Sequence, residues 1–126
     1  MAYIEALETI TVVASGTIAI YTAVSVGGTD ASPTCVNTSG PTDPLVLGVA
    51  QNAAVAGEPV CVAICGITKM VAGATIATRG LRVSCTSAGK AQVAVSTNVP
   101  IGISMGVGAS DKLMSVLLGK PNVVLA

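Results

Sequence analysis

Residues 45–66, LVLGVAQNAAVAGEPVCVAICG, decide the fold class. Val and Ile branch at Cβ, which costs little on a pleated strand and more in a helix. The stretch reads as one strand over Leu45–Ala50, a small-residue connection over Asn52–Gly57, and a second strand over Pro59–Cys65. Pro59 suits a strand's first residue, where a missing amide donor is tolerated. Two apolar arms around a tight connection predict a hairpin.

Outward from this hairpin the same period of two recurs. Thr9–Ala14 (TITVVA) and Thr17–Val24 (TIAIYTAV) alternate around Ser15-Gly16 and predict a second hairpin. Gly27–Pro44, rich in Gly, Pro, Ser, Thr, Asp and Asn, predicts a long surface loop. Downstream come a short strand at Ile67–Val71, a turn through Ala72–Gly80, and strands at Leu81–Thr86 and Ala91–Ser96 joined at Ser87-Ala88-Gly89. The closing segment PIGISMGVGASDKLMSVLLGK, from Pro100, repeats the 45–66 plan: Pro100 corresponds to Pro44, Gly102 falls near Gly48, and Val116-Leu117-Leu118-Gly119 echoes Ala63-Ile64-Cys65-Gly66. Such self-similarity points to a pseudo-symmetric barrel or sandwich. Helical period is sustained nowhere except marginally at Tyr3–Thr9. The expected organisation is one small all-β domain over 9–119, an extended N-terminal arm over 1–8 and a C-terminal tail over 120–126.

Composition narrows the function. The chain holds 19 Val, 19 Ala, 9 Ile and 8 Leu against two tyrosines and no Phe or Trp, so its core must be aliphatic. Charged residues are 10% of the chain, where soluble domains carry roughly a quarter, and the formal net charge is zero. Few charges favour association, so part of the surface is expected to be covered by partners. The six Lys and Arg are scattered and balanced by six acids, which leaves no basic stripe for nucleic acid. The apolar stretches Thr9–Thr29 and Ala91–Ser110 reach membrane-helix length, but Ser, Thr and Gly interrupt them and their apolar residues alternate, so no membrane span is expected. Glu5 and Glu8 without a basic n-region argue against a signal peptide.

Catalytic readings fare poorly. Without histidine there can be no Ser-His-Asp or Cys-His arrangement. Paired-carboxylate chemistry would need two of six dispersed acids to converge. The glycines of GISMGVG lack the Lys-Ser/Thr ending and the helix of a phosphate loop. Cys61 and Cys65 on one strand would lie roughly 13 Å apart, too far to bond each other, and a zinc site would want tighter spacing. Cys35, Cys61, Cys65 and Cys85 are read as free thiols. No enzyme activity, metal, cofactor or small-molecule substrate is expected.

In the order MAYIEALETI, LVLGVAQNAAVAGEPVCVAICGI, the Gly73-Ala74 to Gly80 turn, and PIGISMGVGASDKLMSVLLG, the chain resembles the capsid cement, or decoration, proteins of tailed bacteriophages, in the family once catalogued as a domain of unknown function among phage head proteins. The resemblance spans nearly the whole chain. It implies a structural virion protein, made in the bacterial host cytoplasm, that binds the capsid exterior and bridges major capsid subunits, commonly as a homotrimer or homodimer. Low charge fits wide buried contacts, since each buried charge carries a desolvation cost. Two segments are candidate interfaces. Tyr3, Ile4 and Leu7 would anchor an arm that orders on binding, because tyrosine is enriched at interface centres. Val123, Val124 and Leu125 would otherwise form a sticky tail, or would complete a sheet within an oligomer. The alternative from another class is the base of a head fibre or a host-surface, carbohydrate-binding module, disfavoured by the shortage of aromatic faces.

Overall fold

A computed structural model of the chain describes residues 7–29 and 31–119. Among them nine strands form: β1 (Leu7–Ala14), β2 (Ala23–Thr29), β3 (Ser32–Asn37), β4 (Val46–Ala50), β5 (Pro59–Val71), β6 (Arg82–Cys85), β7 (Ala91–Val93), β8 (Gly102–Ser104) and β9 (Leu113–Leu118). The first five close on themselves in the order β1-β3-β2-β4-β5, because β1 also pairs antiparallel with β5. Closure removes most of the sheet's edges. One barrel wall is parallel, where Val13 and Ala14 of β1 meet Thr34 and Cys35 of β3.

The remaining strands repeat this plan with the second half of β5 as their first strand. β5–β9, β9–β8, β8–β6 and β6–β7 are antiparallel, as β1–β5, β5–β4, β4–β2 and β2–β3 are in the first unit. A single parallel bridge, Ala72 to Ala91, stands where β1 meets β3. The molecule is one five-stranded unit built twice, with β5 shared between the copies.

Hydrogen bonds outside the strands carry the same duplication. Ile18 and Ala54 exchange two backbone hydrogen bonds, at 2.8 and 3.0 Å, and Ile76 and Gly108 exchange two at 2.9 Å. Ala14 donates to Glu58 and receives from Gly57, while Ala72 donates to Lys112 and receives from Asp111. Each of the four turns around these bridges ends on a residue with positive φ: Tyr21 at 61°, Gly57 at 90°, Gly80 at 85° and Asp111 at 64°. Left-handed backbone is cheap for Gly, tolerable for Asp and costly for Tyr, so the Tyr21 conformation is imposed by its place in the fold. The expected pseudo-symmetry is present and extends beyond the two hairpins that suggested it.

The interior divides accordingly. Ile18, Val24, Cys35, Val60 and Val62 fill the first barrel, while Met70, Ile76, Val83, Met114 and Val116 fill the second. Ala23, Val49 and Ala63 of the first unit join the second core, which welds the units together. Each fully buried aliphatic side chain contributes roughly 1.5–3 kcal/mol.

The structure corrects the sequence reading in four places. β1 is not hairpinned to Thr17–Val24: the chain bends at Ser15-Gly16, makes only the Ile18 bridge, and resumes as a strand at Ala23. Ile18 is buried and Ile20 is 42% exposed, so a turn reproduces the in-out alternation of a strand. The 27–44 loop contains the end of β2 and all of β3, whose six ladder pairs run from Val24–Asn37 to Thr29–Ser32. Small polar residues hid that ribbon, because only Cys35 of β3 is buried. Pro59–Val71 is one 13-residue strand with no break at Gly66. Finally, Leu7 and Glu8 belong to β1 and pair with Gly66 and Cys65, so the arm expected over 1–8 gives way to strand by Leu7.

Candidate contact surfaces

Strand β9 reads LMSVLL, with apolar residues on both phases of its alternation. Met114, Val116 and Leu118 enter the core, which leaves Leu113, Ser115 and Leu117 on the outer face. Register then builds a row across three strands: Leu117 stands opposite Ile67 of β5 on one side and Ile103 of β8 on the other. Leu117 is 37% exposed and Ile103 42%, and Leu113, opposite Val71, is 51% exposed. Cross-strand neighbours lie about 5 Å apart, so Ile67, Leu117 and Ile103 form one apolar stripe, separated from the Leu113–Val71 pair by Lys69 and Ser115. Lys69, paired to Ser115, and Arg82, paired to Ile103, supply positive charge beside it. A contiguous apolar patch with a polar rim is the surface pattern of a protein contact.

A second feature lies on β1. Its register with β5 runs from Leu7 to Val13, but its other edge meets β3 only at Val13 and Ala14. No described residue pairs with Leu7–Val12 on that edge. An apolar groove of about 210 Å³ is lined by Ile10, Leu47, Ile64, Ile101, Leu118 and Gly119 among others.

A polar clamp holds the 38–45 segment against the barrel. Asp43 is buried, and its Oδ2 accepts from Ser25 Oγ at 2.7 Å, Ser39 N at 3.1 Å and Thr38 Oγ1 at 3.3 Å, while Oδ1 accepts from Leu45 N at 2.8 Å. Burial opposes its ionisation, but the donors from Ser25, Ser39 and Leu45 outweigh burial and hold the carboxyl at about 2. The Cys85 thiol sits 3.4 Å from Thr38 Oγ1, and burial pushes it up, as it does the Cys35 thiol. Cys35 and Cys85 are buried, Cys61 and Cys65 half-buried, and all four are free thiols. Among the described residues no three His, Cys, Asp or Glu side chains gather as a metal site would require. No described helix is long and apolar enough to cross a membrane.

Of the interface residues expected from sequence, Leu7 begins β1 and is 38% exposed. Tyr3, Ile4, Val123, Val124 and Leu125 lie outside the described residues. The Ile67–Leu117–Ile103 row escaped the sequence reading. Its signal was the double-phase apolar pattern of β9, but Ile103 and Ile67 join the row only through strand register.

The sequence model of the phage cement protein family matches residues 4–118. The chain belongs to the phage cement protein family. Membership makes it a structural protein of the phage head and a component of the virion. No curated protein matches it in sequence. Among solved structures, the fold is similar to the N-terminal base of the head fibre protein gp8.5 of bacteriophage phi29. That match has a TM-score of 0.69 at 13% identity and covers 94% of this chain and 98% of that one. At that identity the likeness concerns the fold. The outer row and the free edge of β1 are therefore surfaces of a cement-family protein.

Proposed function

We propose that the protein binds the outer surface of the capsid and bridges adjacent major capsid subunits through the outer face of β5, β9 and β8. The observation that carries this reading is the row Ile67–Leu117–Ile103, an apolar stripe on a chain with few charges. Burying it on a partner costs little desolvation and returns roughly 25 cal/mol per Å² of apolar area. A stiff, closed β framework suits a clamp, since load is shared across its hydrogen-bond ladders. The segment that precedes β1 and the start of β1 extend the contact, with Tyr3, Ile4 and Leu7 as anchors, and a homotrimer gives the multivalency that holds a small interface in place. The protein is made in the bacterial cytoplasm and ends on the capsid exterior.

Co-sedimentation of purified protein with heads lacking it tests the reading. Leu117→Lys with Ile103→Glu should abolish binding while leaving the fold intact, and unchanged occupancy would remove the row from the interface.

The head-fibre match favours a second reading, in which this chain is the base of a fibre. Under it, the protein carries a further partner on the side away from the shell. Decorated heads that bind no other virion protein would count against it.

A further inference from the structure

The zero net charge hides a partition along the chain. Residues 1–66 hold five acids, Glu5, Glu8, Asp30, Asp43 and Glu58, and no Lys or Arg, for a formal side-chain charge of −5. Residues 67–126 hold all six cations, Lys69, Arg79, Arg82, Lys90, Lys112 and Lys120, against one acid, for a charge of +5. That acid, Asp111, pairs with Lys90 at 2.7 Å. The boundary has a structural meaning: Gly66 of β5 is partnered by Leu7 of β1 on one side and Leu118 of β9 on the other, where the first unit passes into the second. The described residues alone keep this sign in each unit. The duplicated fold thus joins an acidic unit to a basic one, and surfaces of opposite potential attract.

Equivalent turns show what the partition does to the surface. Val55–Glu58 and Ala109–Lys112 are the same turn in the two units: Glu58 N donates to Val55 O and Lys112 N to Ala109 O, both at 3.0 Å, and the carbonyls of Glu58 and Lys112 accept from Ala14 and Ala72. The first turn is a knob. Val55 is exposed, and the Glu58 carboxylate is fixed beside it, its Oε1 accepting from Val55 N at 2.8 Å. The second unit carries an open hollow of about 430 Å³ lined by Ala77, Thr78, Arg79, Gly106 and Val107, of which Val107 is exposed. An acid beside an apolar side chain complements a base beside an apolar wall. The second unit's own turn would present Lys112 to Arg79 and be repelled, so the chain offers one knob and one hollow that match. Within one chain Glu58 and Arg79 do not pair: among the described residues the ion pair is Lys90–Asp111.

We propose that copies of this chain associate head to tail, the Val55–Glu58 turn of one seated in the Arg79–Val107 hollow of the next. Val55 covers Val107, and Glu58 pairs with Arg79 through the carboxylate oxygen that Val55 N does not use. The contact joins unlike surfaces, so it closes into a ring when its rotation divides the circle. It rests on the homo-oligomer of the capsid reading and names its surfaces, and it uses no residue of the Ile67–Leu117–Ile103 row. The opposed unit charges steer the approach and make it salt-dependent.

Sedimentation velocity of the full-length protein, without heads, tests the contact. The protein should self-associate at about 50 mM salt and less tightly as salt rises to about 500 mM. Glu58→Lys and Arg79→Glu should each weaken self-association by at least about tenfold, with circular dichroism unchanged because both side chains are exposed. Glu58→Gln keeps an acceptor for Val55 N and removes only the charge, so it should weaken association at low salt without touching the turn. An equimolar mixture of Glu58→Lys and Arg79→Glu chains should associate again, because each chain's knob then finds a hollow of opposite charge in the other. Wild-type protein that stays monomeric at low salt overturns the proposal and gives the hollow to another partner. So do single variants that assemble like wild type, and so does a mixture that stays dissociated. Heads play no part in these readouts and the variants leave the Ile67–Leu117–Ile103 row in place, so the contact stands or falls apart from the shell reading.

Discussion

Gly48→Ala would test the closest approach in the fold. A Cβ at Gly48 would overlap the Ala63 carbonyl oxygen, and it would stand 2.9 Å from the Ala63 carbonyl carbon and 3.3 Å from Ile64 Cα. All three atoms are backbone of β5, so no side chain can swing aside. Relief requires β4 to shift away from β5 by about 1 Å or more, which breaks the ladder at Val49–Ala63 and Ala50–Val62. Two lost hydrogen bonds at about 1 kcal/mol each and about 1–3 kcal/mol of overpacking strain sum to about 3–5 kcal/mol. That is a large share of the roughly 5–15 kcal/mol that stabilises an ordinary domain. At this chain length it should lower Tm by about 10–20 °C. Gly102 is the equivalent residue of the second unit, where a Cβ would overlap the Leu117 carbonyl oxygen, so Gly102→Ala should cost a similar amount. Gly106→Ala is the control, with nothing within 4 Å of its added Cβ and no positive φ, and should stay within about 0.5 kcal/mol of wild type. Chemical denaturation of the three variants reads the result. If Gly48→Ala unfolds within about 1 kcal/mol of wild type, the close approach of β4 to β5 at this glycine is wrong.

The remaining predictions are simpler. Asp43 has its carboxyl lowered from 3.8 to about 2 in the folded state, so its stabilising effect is present above about pH 4 and is lost as pH falls through 2. Equilibrium unfolding across that window should show a loss of about 2 kcal/mol that is absent in Asp43→Asn. Gly57→Ala and Gly80→Ala, both in open space at positive φ, should each lose about 1 kcal/mol by thermal denaturation, from backbone strain alone. With a thiol reagent, Cys61 and Cys65 should react in the native protein, while buried Cys35 and Cys85 should react only after unfolding. A Leu113→Lys variant should fold normally and bind heads more weakly at high salt than at low salt if the β9 face meets an acidic shell surface.

The sequence by itself determined the all-β class, the aliphatic core and the β4–β5 and β6–β7 hairpins. Each follows from which residues face inward, and period-two alternation of Val and Ile records that directly. It also disclosed part of the duplication, through Gly48 and Gly102, because a glycine forced by close strand approach leaves its mark in the chain. Tertiary structure alone decided which edges meet. β1 pairs with β3 and β5 rather than with the segment that follows it, and β5 serves both units, because ladder hydrogen bonds join backbone groups that every residue carries. For the same reason β3 was invisible inside a stretch that reads as loop: its pairing is nearly all backbone, with one buried side chain. The Ile67–Leu117–Ile103 row was beyond the sequence as well. Its three residues are distant in the chain, and only register brings them together.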